Sequence, residues 1–480
     1  MINMQTNQML IGGEWKTAKT EGALYDPSTG KEIARIALAD AHDVDEAVEA
    51  GQNALQGEWG QMSAVERGRI LARIGHLVEK HAADLAALEA QDVGKPYSQA
   101  LADARALARY LEFYAGAADK VHGQTIPYQA GYTVYTLREP FGVTGHIIPW
   151  NYPMQIIGRS VVAALTMGNA AVLKPAEEAC LTALAFGFIA NEAGLPAGAL
   201  NIVPGLGEVA GDALARHPGV SHISFTGSVG VGSKVQSAAA QHAAPVTLEL
   251  GGKSPQIVFE DADLDKALPF LVNAGIQNAG QTCSAGSRIL VHRNIYDALL
   301  ARLVKSYQAL RVGPAMLDLN LGPLVSAKQK GIVDGYLKRA RADGLVQIAS
   351  GEIVADAPAG GFYTAPTLWT DVPPEHELAQ KEIFGPVQVV IPFENEDQAV
   401  EIANGTDFGL VAGVWTRDGA RQMRMAKKLR VGQVFINNYG AGGGVELPFG
   451  GMGRSGHGRE KGLEALYGFS TLKTVAAFHE

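Results

Sequence analysis

Five short apolar runs, separated by stretches of helical character, most constrain the fold of this 480-residue chain. The runs have the length of buried strands rather than of helices. Strands that alternate with helices predict βαβ units, and these predict an α/β fold with a doubly wound parallel sheet. The predicted strands are residues 143–148, 170–174, 201–203, 222–225 and 246–250, and the predicted helices are 154–167, 177–193, 209–215 and 231–240.

Polar and glycine residues follow each of these predicted strands. Doubly wound sheets bind ligands beyond the carboxyl ends of their strands, so these positions predict a ligand site. They are residues 149–151, 174–177, 205–207, 227–228 and 249–252.

The rest of the chain predicts further layers. Residues 41–118 predict helices, one of them begun by a capping box of Ser63 and Glu66. A second α/β pattern begins at Ser254, and the length exceeds what one core supports, so two or three domains are expected. Further strands are predicted at residues 132–137, 256–259, 288–292, 387–393, 434–437 and 471–478.

Composition excludes several classes of function. Lys and Arg total 40 against 49 Asp and Glu, a net charge of −9, which argues against a nucleic-acid partner. The longest apolar stretch, near residues 161–173, is too short to span a bilayer, and residues 1–8 do not resemble a signal peptide. Two cysteines make no disulfide framework, and no His and Cys pair at zinc-site spacing. We expect a cytoplasmic protein without a metal or a membrane partner.

Cys283, Glu249 and Asn151 together supply the groups for covalent chemistry on a carbonyl. A thiolate can attack an aldehyde, and an amide N–H can stabilise the resulting oxyanion, as can the backbone N–H of Cys283. A carboxylate can then activate the water that hydrolyses a thioester.

Each of these residues also has an ordinary structural interpretation. A lone Cys usually packs in the core, a Glu at a strand end is usually solvated or ion-paired, and Asn151 is placed to cap a helix begun by Pro153. The other cysteine, Cys180, is expected to be structural.

Seven short motifs, taken in order, resemble those of the NAD(P)-dependent aldehyde dehydrogenase superfamily across nearly the whole chain. The resemblance implies oxidation of an aldehyde to the acid by NAD and water, through a cysteine thiohemiacetal and thioester. It implies Cys283 as nucleophile, Glu249 as general base, Asn151 as oxyanion donor and Lys174 near the active centre, holding the cofactor ribose. The motifs are PWNYP (149–153), LKPAE (173–177), FTGS (225–228), ELGGK (249–253), GQTC (280–283), EIFGP (382–386) and PFGG (448–451).

The resemblance also implies an NAD site without the usual Gly-x-Gly-x-x-Gly turn, and neither glycine-rich segment here has that spacing. Glu177 matches the family's ribose-binding carboxylate, which favours NAD over NADP, although an acid in a helix's first turn would also suit that position. Glu382 is expected to reach the nicotinamide ribose and Phe384 to pack beside the nicotinamide. The other expected cofactor residues are Ile148, Pro149, Trp150, Gly207, Phe225, Gly227, Ser228, Val231 and Leu250.

The aldehyde pocket is less well defined by the sequence. Tyr152 and Phe449 predict an aromatic collar. Arg159 matches an arginine that holds a distal carboxylate in semialdehyde-oxidising relatives, but helix packing or an ion pair explains it as well. The expected pocket residues are Tyr152, Ile156, Arg159, Thr282, Ser284, Tyr439 and Phe449.

By the same resemblance, the expected domains are a cofactor domain (residues 1–121 and 141–249), a second α/β catalytic domain (250–466) and a small β oligomerisation subdomain (122–140 and 467–480). The subdomain predicts a homodimer or a homotetramer. Two alternatives to the hydrolytic enzyme stay open, an acylating relative that uses coenzyme A or phosphate and a non-enzymatic, crystallin-like member of the fold. The presence of Glu249 disfavours the acylating relative, which typically lacks the base.

Overall fold

The computed structural model of the protein describes residues 5–440 and 444–479, so the domain limits predicted at residues 1 and 480 lie outside the described residues. The strands of its first half are β1 (Gln8–Ile11), β2 (Glu14–Thr17), β3 (Glu21–Tyr25), β4 (Glu32–Ala37), β5 (Thr125–Ile126), β6 (Tyr132–Pro140), β7 (Val143–Ile147), β8 (Ala170–Lys174), β9 (Leu200–Ile202), β10 (His222–Thr226) and β11 (Val246–Glu249). The helices are α1 (Ala41–Gln56), α2 (Glu58–Gln61), α3 (Ala64–Lys80), α4 (Ala82–Val93), α5 (Tyr97–Ala117), α6 (Pro153–Ile156), α7 (Val162–Thr166), α8 (Leu181–Glu192), α9 (Asp212–Arg216) and α10 (Val229–Ala239). A π-helical turn, Ile157–Val161, joins α6 to α7, and another, Gly207–Gly211, leads into α9.

The first sheet has the strand order β2-β1-β9-β8-β7-β10-β11-β23, where β23 is Gly456–His457. Strands β7 to β11 are parallel. From β7 the chain moves outward to β8 and β9, then returns to the other side of β7 for β10 and β11. The strand order therefore reverses between β7 and β10, which confirms the predicted doubly wound sheet and locates its crevice.

Helices cover both faces of this sheet, as the alternation of side chains along β8 shows. Ala171 and Leu173 pack into a core with helices α3, α5 and α8. Ala170 and Val172 point the opposite way, into a core with α1, α9 and α10. All four side chains are buried, as expected for a strand in a parallel sheet.

The second half of the chain contains the remaining strands and helices, and seven of its strands form a second large sheet. Its strands are β12 (Pro255–Val258), β13 (Arg288–His292), β14 (Arg311–Val312), β15 (Val346–Ser350), β16 (Glu352–Ile353), β17 (Thr367–Thr370), β18 (Val387–Phe393), β19 (Phe408–Gly409), β20 (Val411–Trp415), β21 (Gln433–Ile436), β22 (Met452–Gly453), β23 and β24 (Ser470–Phe478). Its helices are α11 (Leu264–Ile276), α12 (Tyr296–Gln308), α13 (Ala327–Ala342), α14 (Glu377–Gln380), α15 (Glu396–Asn404), α16 (Gly419–Lys428) and α17 (Glu464–Gly468). The sheet order is β15-β17-β18-β13-β12-β20-β21, parallel except for β15, and this confirms the second α/β pattern.

A small antiparallel sheet, β24-β6-β5, stands apart from both. The register of β6 and β24 runs unbroken from Pro140 opposite Ser470 to Tyr132 opposite Phe478. The strands predicted at residues 132–137 and 471–478 are therefore confirmed, and they are partners of each other. Most side chains of β24 are exposed, and its outer edge pairs with no other strand among the described residues.

One local prediction needs correction, and one element was not predicted. The helix expected from residue 177 begins at Leu181, because residues 177 and 178 form a turn after β8 and Lys174 holds the Glu177 side chain. The hairpin of β1 and β2 was not predicted. Its signal is the pair Gly12-Gly13, both at positive φ, which is typical of a two-residue hairpin turn.

Candidate active site

The carboxyl ends of four parallel strands meet at one edge of the first sheet. Ile147 of β7 pairs with Lys174 of β8 on one side and with Phe225 of β10 on the other. Thr226 of β10 pairs in turn with Glu249 of β11. The segments that follow these strands therefore share one edge, at the point where doubly wound sheets bind ligands.

The loop that carries Cys283 has an unusual backbone. Asn278, Ala279 and Gly280 follow one another in the left-handed region, with φ of 48°, 54° and 72°. This conformation costs a residue with a Cβ roughly 1 kcal/mol or more. At Gly280 a Cβ would lie 2.1 Å from the carbonyl oxygen of Gly385, so the position requires glycine.

Hydrogen bonds from other parts of the chain hold this loop. The Asn278 backbone N–H donates to Gln99 Oε1 (2.9 Å), and its side-chain amide donates to the Asn151 carbonyl (3.1 Å). Gln281 Nε2 donates to the Asn278 carbonyl (3.0 Å), while Gln281 Oε1 accepts from the Val325 N–H (2.9 Å). These contacts offset the cost of the backbone and fix the position of the thiol that follows.

Asn151 is tied to the same loop. Its Nδ2 donates to the Gln281 carbonyl at 2.9 Å. A carboxamide nitrogen carries two N–H groups, so one remains for a ligand in the cavity that Asn151 lines. The interpretation of Asn151 as a helix cap is wrong, because Tyr152 precedes the first helical residue, Pro153, and no side chain caps this helix.

Glu249 is buried, with 2% of its surface exposed, and neither carboxylate oxygen has a hydrogen-bond partner among residues 5–440 and 444–479. Burial raises its pKa well above the usual range; the charge of Glu460 adds to this and Arg159 opposes it. Gly450, at φ 155°, makes room, since a Cβ there would lie 2.8 Å from Glu249 Oε1. Glu249 therefore lies at a buried strand end and not on the protein surface.

The two cysteines differ in their surroundings. Burial raises the pKa of the Cys283 thiol to about 12, although Arg159 opposes the shift, so the thiol needs a proton acceptor before it can attack. Cys283 is half-buried and lines the same cavity as Glu249. Cys180 is fully buried in the first core, as its predicted structural role requires.

One cavity of about 260 Å³ brings most of the predicted residues together. Those that line it are Pro149, Trp150, Asn151, Tyr152, Ile156, Arg159, Gly227, Ser228, Glu249, Thr282, Cys283, Ser284, Glu382, Phe384 and Phe449. Five further lining residues were not among the individually predicted site residues, namely Gln155, Thr226, Gly251, Gln277 and Gln329. Thr226 and Gly251 lie within quoted motifs, and Gln155 and Gln277 lie close to one. Gln329 lies far from any motif and reaches the cavity by donating to the Phe384 carbonyl (2.8 Å).

This fold and cavity have counterparts among known proteins. Residues 15–475 match the model of the aldehyde dehydrogenase family. The chain belongs to this family. It is 43% identical over 481 residues to the mitochondrial aldehyde dehydrogenase family 2 member B4 of Arabidopsis thaliana, covering 99% of this chain and 88% of that protein.

Solved structures agree. A candidate aldehyde dehydrogenase from Burkholderia cenocepacia superposes with a TM-score of 0.98 at 62% identity, covering 98% of this chain and 100% of that one. An NAD⁺ complex of an aldehyde dehydrogenase from Bacillus cereus superposes with a TM-score of 0.95 at 39% identity, covering 100% and 98%. The protein is an enzyme, an NAD-dependent aldehyde dehydrogenase, and the predicted reaction class and cofactor are confirmed.

The residues of this dehydrogenase fit a nicotinamide at the cavity. The rings of Trp150 and Phe384 meet edge to face at 5.3 Å. Glu382 Oε1 accepts from the Gly252 N–H at 3.1 Å, and burial raises the Glu382 pKa to about 7. Gly251 leaves space for that carboxylate, since a Cβ would lie 2.1 Å from Glu382 Oε2.

The residues expected to hold the rest of the dinucleotide lie along an accessible edge of the first sheet. Lys174 Nζ donates to Glu177 Oε2 (3.0 Å), and Glu177 is partly exposed in the turn before α8, so the first-turn interpretation of this acid is wrong. Helix α10 begins just after Gly227, with Ser228 as its N-cap. Gly207 is exposed, and so is Val231 in the first turn of α10. The N-terminus of α10 is therefore accessible to a phosphate. Seven predicted cofactor residues do not line the cavity itself: Ile148, Lys174, Glu177, Gly207, Phe225, Val231 and Leu250.

On the substrate side, Tyr152 and Phe449 both reach the cavity, as expected of a collar. Tyr152 Oη and Thr282 Oγ1 hydrogen-bond at 2.9 Å. Tyr439 instead lines an adjoining cavity, where its hydroxyl donates to the Ser284 carbonyl. The two cavities share four lining residues, Gln155, Gln277, Thr282 and Ser284, so they form the inner and outer parts of one site.

Arg159 is not a free cation. Its guanidinium forms an ion pair with Glu460, which is fully buried, and lies 4.8 Å from the centre of the Phe449 ring. Ser224 Oγ donates to the other oxygen of Glu460 at 3.0 Å. The ion-pair interpretation of Arg159 is therefore the one that the geometry supports.

Two further observations concern ligands and membranes. No group of three His, Cys, Asp or Glu within the described ranges has the arrangement of a metal site. No helix in the same part of the chain is both long and apolar enough to cross a bilayer.

Proposed function

We propose that this aldehyde dehydrogenase is of the hydrolytic kind, with Cys283 as nucleophile, Asn151 as oxyanion donor and Glu249 as general base. The observation that carries the proposal is that these three side chains line one cavity, and that the carboxylate there has no hydrogen-bond partner among the described residues. A buried acid without a partner is costly, and a catalytic need for a free base accounts for it.

The first half of the reaction needs a thiolate and an oxyanion site. The Cys283 proton moves to an acceptor in the cavity, and the thiolate adds to the aldehyde carbon. The free N–H of Asn151 and the backbone N–H of Cys283 then stabilise the thiohemiacetal oxyanion. Bound NAD supplies the acceptor for the hydride that leaves this carbon, and Cys283 is left as a thioester.

The second half needs activated water. A carboxylate with a raised pKa is a better base than an ordinary one, and Glu249 accepts no hydrogen bond from any residue that the structure describes. Acylating relatives hand the thioester to coenzyme A or phosphate and need no such base. The presence of Glu249 in the cavity therefore supports hydrolysis to the free acid.

For the cofactor we propose a preference for NAD over NADP. Glu177 is partly exposed next to Lys174, where a carboxylate can accept from ribose hydroxyls and repel a 2′-phosphate. Glu382 and Phe384 serve the nicotinamide half. The remaining proposed cofactor residues are Ile148, Pro149, Trp150, Lys174, Gly207, Phe225, Gly227, Ser228, Val231 and Leu250.

For the substrate we propose an uncharged aldehyde. The charge of Arg159 is already matched by Glu460, so the site gains less from a distal carboxylate than an unpaired arginine would. Tyr152 and Phe449 favour an apolar or aromatic group beside the aldehyde. Ile156, Thr282, Ser284 and Tyr439 complete the proposed pocket.

We also propose a cytoplasmic homodimer or homotetramer, with the division into domains at residues 121, 140, 249 and 466. The exposed outer edge of β24 supports the oligomer, because such an edge is an aggregation hazard unless another strand or subunit covers it.

A panel of aldehydes with NAD tests the reaction. Formation of NADH and free acid without coenzyme A or phosphate is the expected result. Turnover that depends on coenzyme A or phosphate would show an acylating enzyme, and no NADH with any aldehyde would indicate a non-enzymatic member of the fold. Acetaldehyde, benzaldehyde and succinic semialdehyde separate the substrate classes, and a strong preference for the last would contradict the uncharged pocket.

A further inference from the structure

A buried lysine, Lys95, lies behind the wall of the active site although no step of the reaction uses it. Its side chain is fully buried. The ammonium group donates to Glu89 Oε1 at 2.6 Å and to Asp103 Oδ2. Burying a lysine is costly unless its charge is paired, so this placement needs an explanation beyond packing.

The backbone presets the position of Lys95. It lies in the short connection between α4 and α5, between Gly94 and Pro96. Gly94 is left-handed, with φ 84°, and a Cβ there would meet the Pro323 side chain at 2.8 Å. Pro96 restricts the residue before it to an extended conformation. Gly94 and Pro96 therefore restrict the backbone conformation on both sides of Lys95.

Three carboxyl groups, those of Glu89, Asp92 and Asp103, lie near the Lys95 ammonium. Burial raises the pKa of Glu89 well above its usual range and that of Asp92 to about 8. Asp92 accepts from the Leu181 N–H at 3.0 Å, at the start of α8. Burial thus favours the protonated forms of Glu89 and Asp92, and Asp103 Oδ2 is in direct contact with the Lys95 ammonium.

The remaining face of the Lys95 ammonium meets the active site. Its nitrogen lies 4.0 Å from the centre of the Tyr152 ring, within the range of a cation–π contact. Tyr152 Oη in turn hydrogen-bonds Thr282 Oγ1 at 2.9 Å, and Thr282 Oγ1 is also 3.3 Å from the Gln277 carbonyl. Thr282 is the residue directly before Cys283, so this chain of contacts ends at the thiol.

A second contact leads from the same ion pair to the cavity. Asp103 Oδ1 accepts from Gln155 Nε2 at 2.5 Å, and Gln155 lines both the inner and the outer cavity. Lys95 and Asp103 therefore support two residues that line the cavity, Tyr152 and Gln155.

We propose that Lys95 is a positioning residue for this enzyme. By holding the Tyr152 ring, and through the Tyr152–Thr282 hydrogen bond, it fixes the backbone that aims Cys283 at the aldehyde. The proposal rests on the proposed role of Cys283 as nucleophile.

The test is a double-mutant cycle of Lys95→Met and Tyr152→Leu, read by the rate of the NADH burst and by the rate at which iodoacetamide alkylates Cys283. Lys95→Met is expected to slow both rates by about tenfold or more, with NAD affinity changed less than about twofold. In the Tyr152→Leu background the same substitution should change either rate by less than about twofold, since contacts that act in series are not additive.

Two further variants serve as controls for this test. Lys95→Met/Asp103→Asn removes both partners of the Lys95–Asp103 ion pair, so Asp103 is not left as an unpaired buried carboxylate, and it supplies the measurement if the single variant does not fold. Asp92→Asn changes a buried acid of the same corner that does not contact Tyr152, and its burst rate should stay within about twofold of wild type.

An equal effect of Lys95→Met in both backgrounds would overturn the proposal, because Lys95 would not act through Tyr152. A wild-type burst in the Lys95→Met/Asp103→Asn protein would overturn it as well. A wrong assignment of Cys283 as nucleophile would give a different result. The Cys283→Ala variant would then keep its turnover, independently of the results for the Lys95 variants.

Discussion

Glu249→Gln separates the two halves of the reaction. The amide keeps the shape of the carboxyl but cannot accept a proton, so hydrolysis of the thioester loses its base. General-base catalysis contributes roughly 10²–10⁴-fold, which corresponds to about 3–5 kcal/mol. Steady-state turnover should fall by about that factor. Acylation needs no activated water and should fall less, so a burst of NADH should appear or grow, up to the enzyme concentration.

The same substitution should stabilise the fold above neutral pH. Burial raises the folded-state pKa of Glu249 above its ordinary value of 4.5. Below pH 4.5 the carboxyl is neutral in both folded and unfolded chains, so wild type and variant should have similar stability. As the pH rises towards the folded-state pKa, ionisation favours the unfolded chain and wild type loses about 1.4 kcal/mol per unit of pKa difference. The amide has no such loss.

Stopped-flow absorbance of NADH, and thermal unfolding at pH 4.5 and pH 8, measure the two effects. Asp92→Asn is the matched control, because that buried acid also has a raised pKa but does not line the cavity. It should gain stability at high pH without any change in the NADH burst. Equal losses of acylation and hydrolysis in Glu249→Gln, with no burst, would refute the role of Glu249 as base.

Three other predictions follow from the site and the small sheet. Cys283→Ala should abolish aldehyde oxidation while NAD still binds, and residual turnover above roughly a few per cent of wild type would contradict its role as nucleophile. Wild type should prefer NAD over NADP by about tenfold or more in kcat/KM, on the order of 1.4 kcal/mol, and Glu177→Ser should narrow that gap; equal use of both cofactors by wild type would count against Glu177. Light scattering should give at least a dimer, whereas a mass near 50.6 kDa would exclude one. Truncation after Gly468 removes β24 and should give monomeric or insoluble protein, so a truncated form that stays oligomeric and active would show that β24 is not the interface.

Much of the scaffold could be predicted because its signals are local. The parallel strands are short, mostly apolar runs, and β7, β8 and β10 lie within a residue of their predicted bounds. The helix begun by the Ser63 and Glu66 capping box is also a local signal, and the structure has it. Errors fell where the local signal was weak, as at the turn around Glu177, where a contact with Lys174 replaces helical structure.

The candidate site was predictable only in part. Cys283, Glu249 and Asn151 belong to motifs whose chemistry and order indicate a covalent reaction, and the cavity brings all three together. The sequence could not decide whether Asn151 is a helix cap or whether Arg159 is free. Both answers depend on partners distant in the chain, the Gln281 carbonyl and the Glu460 carboxylate.

The sequence by itself therefore determined the α/β class, the doubly wound first sheet, the second α/β pattern and the chemical groups of the site, because hydrophobic period and residue chemistry are local properties. The tertiary structure alone decided how β6 meets β24, how the left-handed loop before Cys283 is held, and why Lys95 lies behind Tyr152. Each of these is a contact between segments far apart in the chain. Its energy depends on burial and on partners that exist only once the fold has formed.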